Sequence, residues 1–397
     1  MDQGESRKSP VSLRARNMPS FIAMDVLETA IAMERGGEHI VHLEVGEPDF
    51  DTPEAVRRAA VEALARGETH YTHSLGIHEL RAAIAVHYRA LYGVDVDPER
   101  VIVTTGSSPA FLLAFAALID PGEEVVLTDP HYASYPPCIE FCEGVPVYLP
   151  VREEECFQFV PEELPRCLGP RTKAVLVNSP ANPTGTLISA DRLRELAGLT
   201  ESAGSFVVSD EIYHGLVYEG REHSILEFTD RAFVVNGFSK LYAMTGWRLG
   251  YLIAPPEFVR PIQKIQQNLF ISANAFVQRA GIAALTETSE EVSRMVRTYA
   301  QRRRYMLERL EGMGFSFRCH PTGAFYVFVN ARHLSEDCYR LAFDILKKAR
   351  VGCTPGVDFG KGGEGYLRFT YANSIENIKE GMDRLQRYVE ALGRAGA

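Results

Sequence analysis

Val101-Ile102-Val103-Thr104-Thr105-Gly106-Ser107-Ser108-Pro109-Ala110-Phe111-Leu112-Leu113-Ala114-Phe115 is the stretch on which the reading of the fold turns. An apolar, β-branched run without polar alternation gives way at a glycine to two hydroxyls and then to an apolar helical pattern. That order predicts a strand buried on both faces, a tight loop and a helix in immediate succession. Working outward, runs of the same kind recur at residues 124–128, 173–178, 205–210, 232–237 and 249–254, after the first at 101–105. Helical patterns lie between them, as at 110–118 and 191–202. Strands alternating with helices predict an α/β fold with a mostly parallel sheet and right-handed crossovers.

The pattern changes near Asn274. A long helical periodicity over 276–310 carries Arg302, Arg303 and Arg304, which read as a solvated helix face. A strand-like run at 324–329 and helical patterns at 338–350 and 375–392 follow. The expected organisation has three parts: an N-terminal segment, 1–45, a large sheet domain, 46–290, and a smaller α+β domain, 291–397, against which the first segment packs. A length of 397 residues suits one large or two closely coupled domains.

Apolar residues at 46% and charged residues at 24% rule out a disordered or collagen-like chain. With 42 basic and 52 acidic residues the net charge is −10 and no long basic run occurs, a poor match to a nucleic-acid backbone. A few arginines in one cleft still suffice for a small anion. Met1 to Pro10 is polar and mixed in charge, without the apolar core of a signal peptide. The longest apolar stretch, 109–119, is too short to span a bilayer. The seven cysteines, Cys138, Cys142, Cys156, Cys167, Cys319, Cys338 and Cys353, form no CxxC pair and read as reduced thiols of a cytoplasmic protein. Cys138 and Cys142 share a helix face, where packing accounts for both.

Several local patterns carry chemistry in unequal degree. The loop Thr104-Thr105-Gly106-Ser107-Ser108 offers free backbone N–H groups and a helix dipole to a phosphate, although helix capping alone explains the serines. It is no Walker loop. Gly360-Lys361-Gly362-Gly363-Glu364-Gly365 matches GxGxxG literally but leads into a strand-like run, so it reads as a loop and not a dinucleotide fingerprint. His70, His73 and His78 lie near one another without HExxH or a Cys/His ligand array, and no metal is expected. No GxSxG elbow occurs.

The most specific segment is Asn236-Gly237-Phe238-Ser239-Lys240-Leu241-Tyr242-Ala243-Met244-Thr245-Gly246-Trp247-Arg248-Leu249-Gly250. Lys240 follows a strand end in a run otherwise without charge, and Arg248 lies eight residues on. A lysine shielded from water has a lowered pKa and serves as a nucleophilic amine, and an arginine is a natural partner for phosphate. This segment resembles the lysine signature of the class I/II aminotransferases of fold type I, which depend on pyridoxal 5′-phosphate (PLP). Gly46-Glu47-Pro48-Asp49-Phe50, Tyr71, Asn178-Ser179-Pro180-Ala181-Asn182-Pro183-Thr184-Gly185, Ser209-Asp210-Glu211-Ile212-Tyr213, Thr354-Pro355-Gly356 and Tyr366-Leu367-Arg368-Phe369 agree with that family in order and spacing. The resemblance runs from about residue 17 to the C-terminus.

The resemblance implies a role for each matching residue. Lys240 holds PLP as a Schiff base and then carries a proton between the substrate Cα and the cofactor. Asp210 pairs with the pyridine nitrogen; a carboxylate at a buried strand end independently calls for a cationic partner. Tyr213, placed one helical turn beyond Asp210, and Asn182 bond the cofactor's phenolic oxygen, and the Asn182–Pro183 bond is expected to be cis. Tyr132 stacks on the ring. Gly106, Ser107, Ser108 and Arg248 hold the phosphate. Gly237 stands where many relatives have a phosphate-binding serine, and Ser239 is the candidate replacement. Tyr71 matches a tyrosine that reaches the phosphate from a neighbouring subunit, which implies a homodimer. Arg368 matches the arginine that binds the substrate α-carboxylate, assisted by Asn182 and the backbone of Gly46.

The implied reaction moves an amino group from an L-amino acid, with aspartate or an aromatic amino acid among the candidate donors, to a 2-oxo acid, expected to be 2-oxoglutarate, by a ping-pong cycle. A carbon–sulfur β-lyase using the same site is the rival. A PLP-binding regulatory protein fits less well, because fewer than about fifty residues precede Gly46 and the chain is acidic. A dicarboxylate donor needs a distal cation, which 110–118 lacks; Arg16, His73 or a second subunit are the candidates to supply it. The apolar residues Phe21 and Ile22 suit an aromatic or aliphatic side chain.

Overall fold

The computed structural model describes residues 10–395, so the polar start discussed above lies, up to residue 9, outside the described residues. Twelve strands run in order: β1 (Val41–His42), β2 (Val101–Thr104), β3 (Glu124–Asp129), β4 (Val145–Pro150), β5 (Thr172–Asn178), β6 (Phe206–Asp210), β7 (Ala232–Gly237), β8 (Gly250–Ile253), β9 (Tyr326–Asn330), β10 (Val351–Gly352), β11 (Thr354–Pro355) and β12 (Tyr366–Thr370). Seven form one sheet in the order β2-β8-β7-β6-β5-β3-β4. β3 to β7 pair in parallel, and β8 runs antiparallel to both its neighbours. All six strands expected from the sequence are in this sheet. The seventh, β4, is missed because Pro146 and Pro150 interrupt the run, and it takes the edge position where a lost N–H donor is tolerated.

The alternation of side chains along these strands feeds two cores. Ile102, Leu127, Leu176, Val208 and Val235 point to one face, beneath Phe111, Leu113 and Phe115 of the helix Ser107–Leu118. Val103, Val126, Val175, Val207 and Val234 point to the other. Each such side chain, fully removed from water, contributes roughly 1.5–3 kcal/mol before entropy is charged against it. The absence of polar alternation in the sequence thus has its physical cause in two covered faces.

The long periodicity at 276–310 resolves into two helices, Ala275–Glu287 and Ser289–Gly312. At the break Thr288 donates its hydroxyl to the Ala284 carbonyl, 2.7 Å away. The first helix packs Val277, Ala280 and Ala284 against the large sheet. The second packs Met295, Tyr299, Met306 and Leu307 into a separate core with β9, β12 and the helix Cys338–Ala349. The N-terminal helix Ile22–Arg35 lays Val26 and Ala30 against Leu346, and Asp358 accepts from the Ile22 and Ala23 N–H groups at 2.9 and 3.1 Å.

Two expectations are overturned. Arg302 and Arg303 are buried: Arg302 pairs with Asp49 at 2.7 Å and Arg303 with Glu219 at 2.7 Å, while Arg304 alone of the three is exposed. The helix lays Arg302 against the segment after β1 and Arg303 against the segment after β6, which periodicity alone does not reveal. The cysteines are not all free, because Cys156 and Cys319 form a disulfide with their Cα atoms 5.2 Å apart, and the other five are unpaired. A separation of 163 residues hid that pair. The GxGxxG look-alike is a loop with one 3-10 turn, Lys361–Gly363, ahead of β12. No helix among the described residues is long and apolar enough to cross a membrane.

Candidate active site

Parallel strands deliver their carboxyl ends to one edge of a sheet, and a crevice opens where successive connections depart in opposite directions. The chain passes outward from β3 to β4 and returns to the other side of β3 for β5. The loops that follow β2, β3, β5, β6 and β7 meet the segment around Gly46 and the strand β12 at a cavity of about 220 Å³. Its lining includes Gly46, Ser107, Ser108, Tyr132, Asn182, Asp210, Tyr213, Lys240 and Arg368. Nine residues predicted for one site therefore converge from positions spread over most of the chain.

Asp210 ends β6, 4% exposed. Its carboxylate accepts from the Tyr135 hydroxyl at 2.5 Å and from the Ile212 N–H at 3.1 Å. Burial pushes its pKa up to about 6, against the pull of those two donors and of Lys240. The segment after it is a run of turns, not the helix expected, and Tyr213 reaches the cavity from that turn with its hydroxyl 2.8 Å from that of Tyr326.

Lys240 stands in the loop after β7 and donates to the Gly46 carbonyl at 2.7 Å. Burial lowers its amine to about 8, Arg368 and Arg248 push the same way, and Glu47 and Asp210 oppose. The approach of chain to chain here is close: a Cβ at position 46 would collide with the Tyr326 hydroxyl, so only glycine fits.

Arg368, on β12, is 2% exposed. Its Nη1 donates to Asn182 Oδ1 at 2.8 Å, and its Nη2 to the Glu44 carbonyl at 2.6 Å and to Thr354 Oγ1 at 3.2 Å. The guanidinium lies over the Tyr326 ring at 4.3 Å and the Phe359 ring at 4.8 Å. Every one of these partners is neutral, and Nε has none among the described residues. A buried cation in that state is costly unless an anion joins it.

The remaining predicted residues stand outside the lining. Gly106 has φ +101° and a Cβ there would strike the Arg248 guanidinium, so glycine lets that side chain lie on the loop. Arg248 is exposed and donates to the Thr245 carbonyl at 2.8 Å. Ser239 is buried. Gly237 owes its identity to packing: a Cβ would sit 3.1 Å from both Gly250 Cα and the Leu249 carbonyl oxygen. Tyr71 is 81% exposed. The Asn182–Pro183 bond is cis, as are Asp129–Pro130 and Ser179–Pro180. Neither Arg16 nor His73 lines the cavity.

Sequence reasoning missed Tyr135, Tyr326, Thr354 and the Glu44 carbonyl as partners of the charged groups. Tyr135 lies three residues after Tyr132, and Tyr326 lies in an otherwise apolar strand; neither carries a motif. Cys138, read as packing, also lines the cavity, beside Phe21, Met24 and Phe111.

These residues fit PLP. A buried carboxylate short of a cation suits a pyridinium nitrogen, a lysine with a lowered pKa suits an aldehyde, and Ser107 with Ser108 at the start of a twelve-residue helix suits a phosphate. The family "Aminotransferase class I and II" matches residues 38–385. The chain is 41% identical to the (5-formylfuran-3-yl)methyl phosphate transaminase of Methanocaldococcus jannaschii, over 96% of this chain and 99% of that one. It is 36% identical to the aspartate aminotransferase of Pyrococcus horikoshii, over 97% and 99%. The structure of the Thermus thermophilus aspartate aminotransferase with maleate superposes with a TM-score of 0.92 at 38% identity, over 96% of this chain and 100% of that one. A lysine and a carboxylate converging on one cavity are thus matched by full-length kinship: the chain belongs to the class I and II aminotransferases, PLP-dependent enzymes of fold type I.

Proposed function

We propose that the cavity performs amino-group transfer between an L-amino acid and a 2-oxo acid in two half-reactions, with Arg368 as the group that selects α-carboxylates. The observation that carries this reading is the buried guanidinium whose bonds all go to neutral groups. A planar fork completed by a substrate carboxylate fixes the direction of the Cα–H bond, and such positioning lowers the barrier to its cleavage. PLP, when bound, supplies the electron sink that stabilises negative charge at Cα. Lys240 Nζ, with its amine lowered to about 8, holds the cofactor and then moves the substrate Cα proton. Asp210 stays ionised against the ring nitrogen, and Tyr135 and the Ile212 N–H hold it there. Tyr213 and Asn182 would bond the ring's oxygen, Tyr132 would pack against the ring, and Ser107, Ser108, the Gly106 N–H, Ser239 and Arg248 would hold the phosphate.

The proposal includes a homodimer. Tyr71, 81% exposed, then completes the phosphate site of a neighbouring subunit, and Arg248 is covered there. It includes the division into an N-terminal segment, a large sheet domain and a smaller C-terminal domain near residues 46 and 291, supported by the change of core at Thr288. A cytoplasmic location rests on the five free thiols, with the Cys156–Cys319 pair weighing against a wholly reduced protein.

The test is a single-turnover screen of amino acids with the PLP-loaded enzyme. Conversion of the cofactor to its pyridoxamine form supports amino transfer. Release of ammonia and pyruvate from a sulfur-bearing amino acid, with the cofactor returned unchanged, would establish the β-lyase instead.

A further inference from the structure

The ionisable side chains that can carry charge at the cavity wall are Glu44, Asp210, Lys240 and Arg368. The last three are committed to the cofactor and the α-carboxylate, and Glu44 turns its carboxylate away to His42, 2.6 Å from Nδ1. The wall left for a substrate side chain includes Phe21, Met24, Phe111, Ser134 and Cys138. None of them is a cation. Phe21 and Tyr132 meet edge to face at 6.1 Å, Tyr132 and Tyr135 at 5.3 Å, and Tyr135 meets Phe111 at 5.3 Å, so the aromatic rings form a continuous surface.

Phe21 and Ser134 also line a second cavity of about 610 Å³ that lies beyond them. Its charged groups are Asp129, Asp358 and Lys361, with His131 neutral through burial. Both Asp358 oxygens already accept from the start of the helix Ile22–Arg35. A substrate carboxylate extending that way meets two acidic side chains and one lysine.

From this lining, and resting on the aminotransfer reading above, we infer that the enzyme takes amino acids with uncharged apolar side chains, aromatic, thioether or branched aliphatic, in preference to aspartate. Phe111, Cys138, Met24 and Phe21 set that preference. A distal carboxylate pressed against this wall loses its water and gains no counter-ion from the chain that forms it. An aromatic or thioether side chain loses only water that the apolar surface does not need, and gains ring and sulfur contacts.

The test uses the PLP-loaded enzyme and follows the cofactor's visible band in single turnovers with phenylalanine, methionine, leucine and aspartate. The expected efficiency of the best uncharged donor exceeds that of aspartate by about a hundredfold. Aspartate equal to or ahead of all three overturns the inference and leaves aminotransfer standing. No conversion with any amino acid removes the aminotransfer reading itself and this one with it. Met24, 43% exposed at the mouth of the wall, accepts an arginine without a buried charge. Met24→Arg is expected to narrow the gap between aspartate and phenylalanine by about tenfold. An unchanged ratio in that variant places the side chain elsewhere and overturns the assignment of this wall.

Discussion

Asp210 and Glu211 are consecutive, both buried, and chemically alike, yet their surroundings differ in kind. Glu211 is 1% exposed and accepts four hydrogen bonds, from Tyr88 at 3.0 Å, Ser209 at 3.2 Å, Ser224 at 2.9 Å and the Ile225 N–H at 3.0 Å. Asp210 accepts two and faces a cavity. The same contrast separates two buried arginines: Arg302 is neutralised by Asp49, while Arg368 has only neutral partners. A buried charge whose needs are met by the protein serves the fold. One left short is held ready for a ligand, and the shortfall is tolerated because binding relieves it.

Substitutions on the two sides should therefore fail in different ways. Lys240→Ala is expected to abolish both turnover and the visible absorbance of lysine-held cofactor; an intact band in that variant contradicts the assignment. Arg368→Ala should lower kcat/KM by about a thousandfold, through the lost fork and lost orientation, with no matching loss of thermal stability. Arg302→Ala, its counterpart, should reverse that pattern: it strands Asp49 and shows in the melting curve more than in kcat.

Glu211→Gln should cost about 1–3 kcal/mol of stability below neutral pH, because the amide does not reproduce the bonds that Tyr88, Ser209, Ser224 and the Ile225 N–H make to the carboxyl group, and leave kcat within about threefold. Burial raises the Glu211 pKa from 4.5 to about 7. The stability it contributes is then fully present below pH 4.5 and is lost as pH rises through about 7, so the gap between wild type and variant should shrink across that window in urea titrations. The smallest effect is kinetic. With the Lys240 amine lowered to about 8, capture of PLP by the cofactor-free protein should quicken as pH is raised through 8 and level off above it. A rate independent of pH would mean that this amine is not the attacking group.

Much of this was legible in the chain, for reasons that differ by element. Six strands of the large sheet announced themselves because both their faces are covered, which forces uninterrupted apolar runs such as Ala232–Gly237. β4 did not, because an edge strand tolerates the prolines that elsewhere mark a break. Lys240, Asp210 and Arg368 stood out as charges in apolar contexts and matched a family pattern. Tyr135 and Tyr326 had no such mark: a tyrosine in a core and a tyrosine bonded to a group of the cavity look alike until the partner's position is known. The Cys156–Cys319 pair and the burial of Arg302 and Arg303 depend on distant segments meeting, a property of tertiary packing that local pattern does not encode.

Among the several lysines of the chain, Lys240 alone is assigned to bear the cofactor. Borohydride reduction of the PLP-loaded enzyme, followed by digestion and mass spectrometry, reads this directly. The reduced cofactor is expected on the peptide containing Lys240 and on no other. Label on Lys264 or Lys361, or spread over surface lysines with position 240 unmodified, would contradict it.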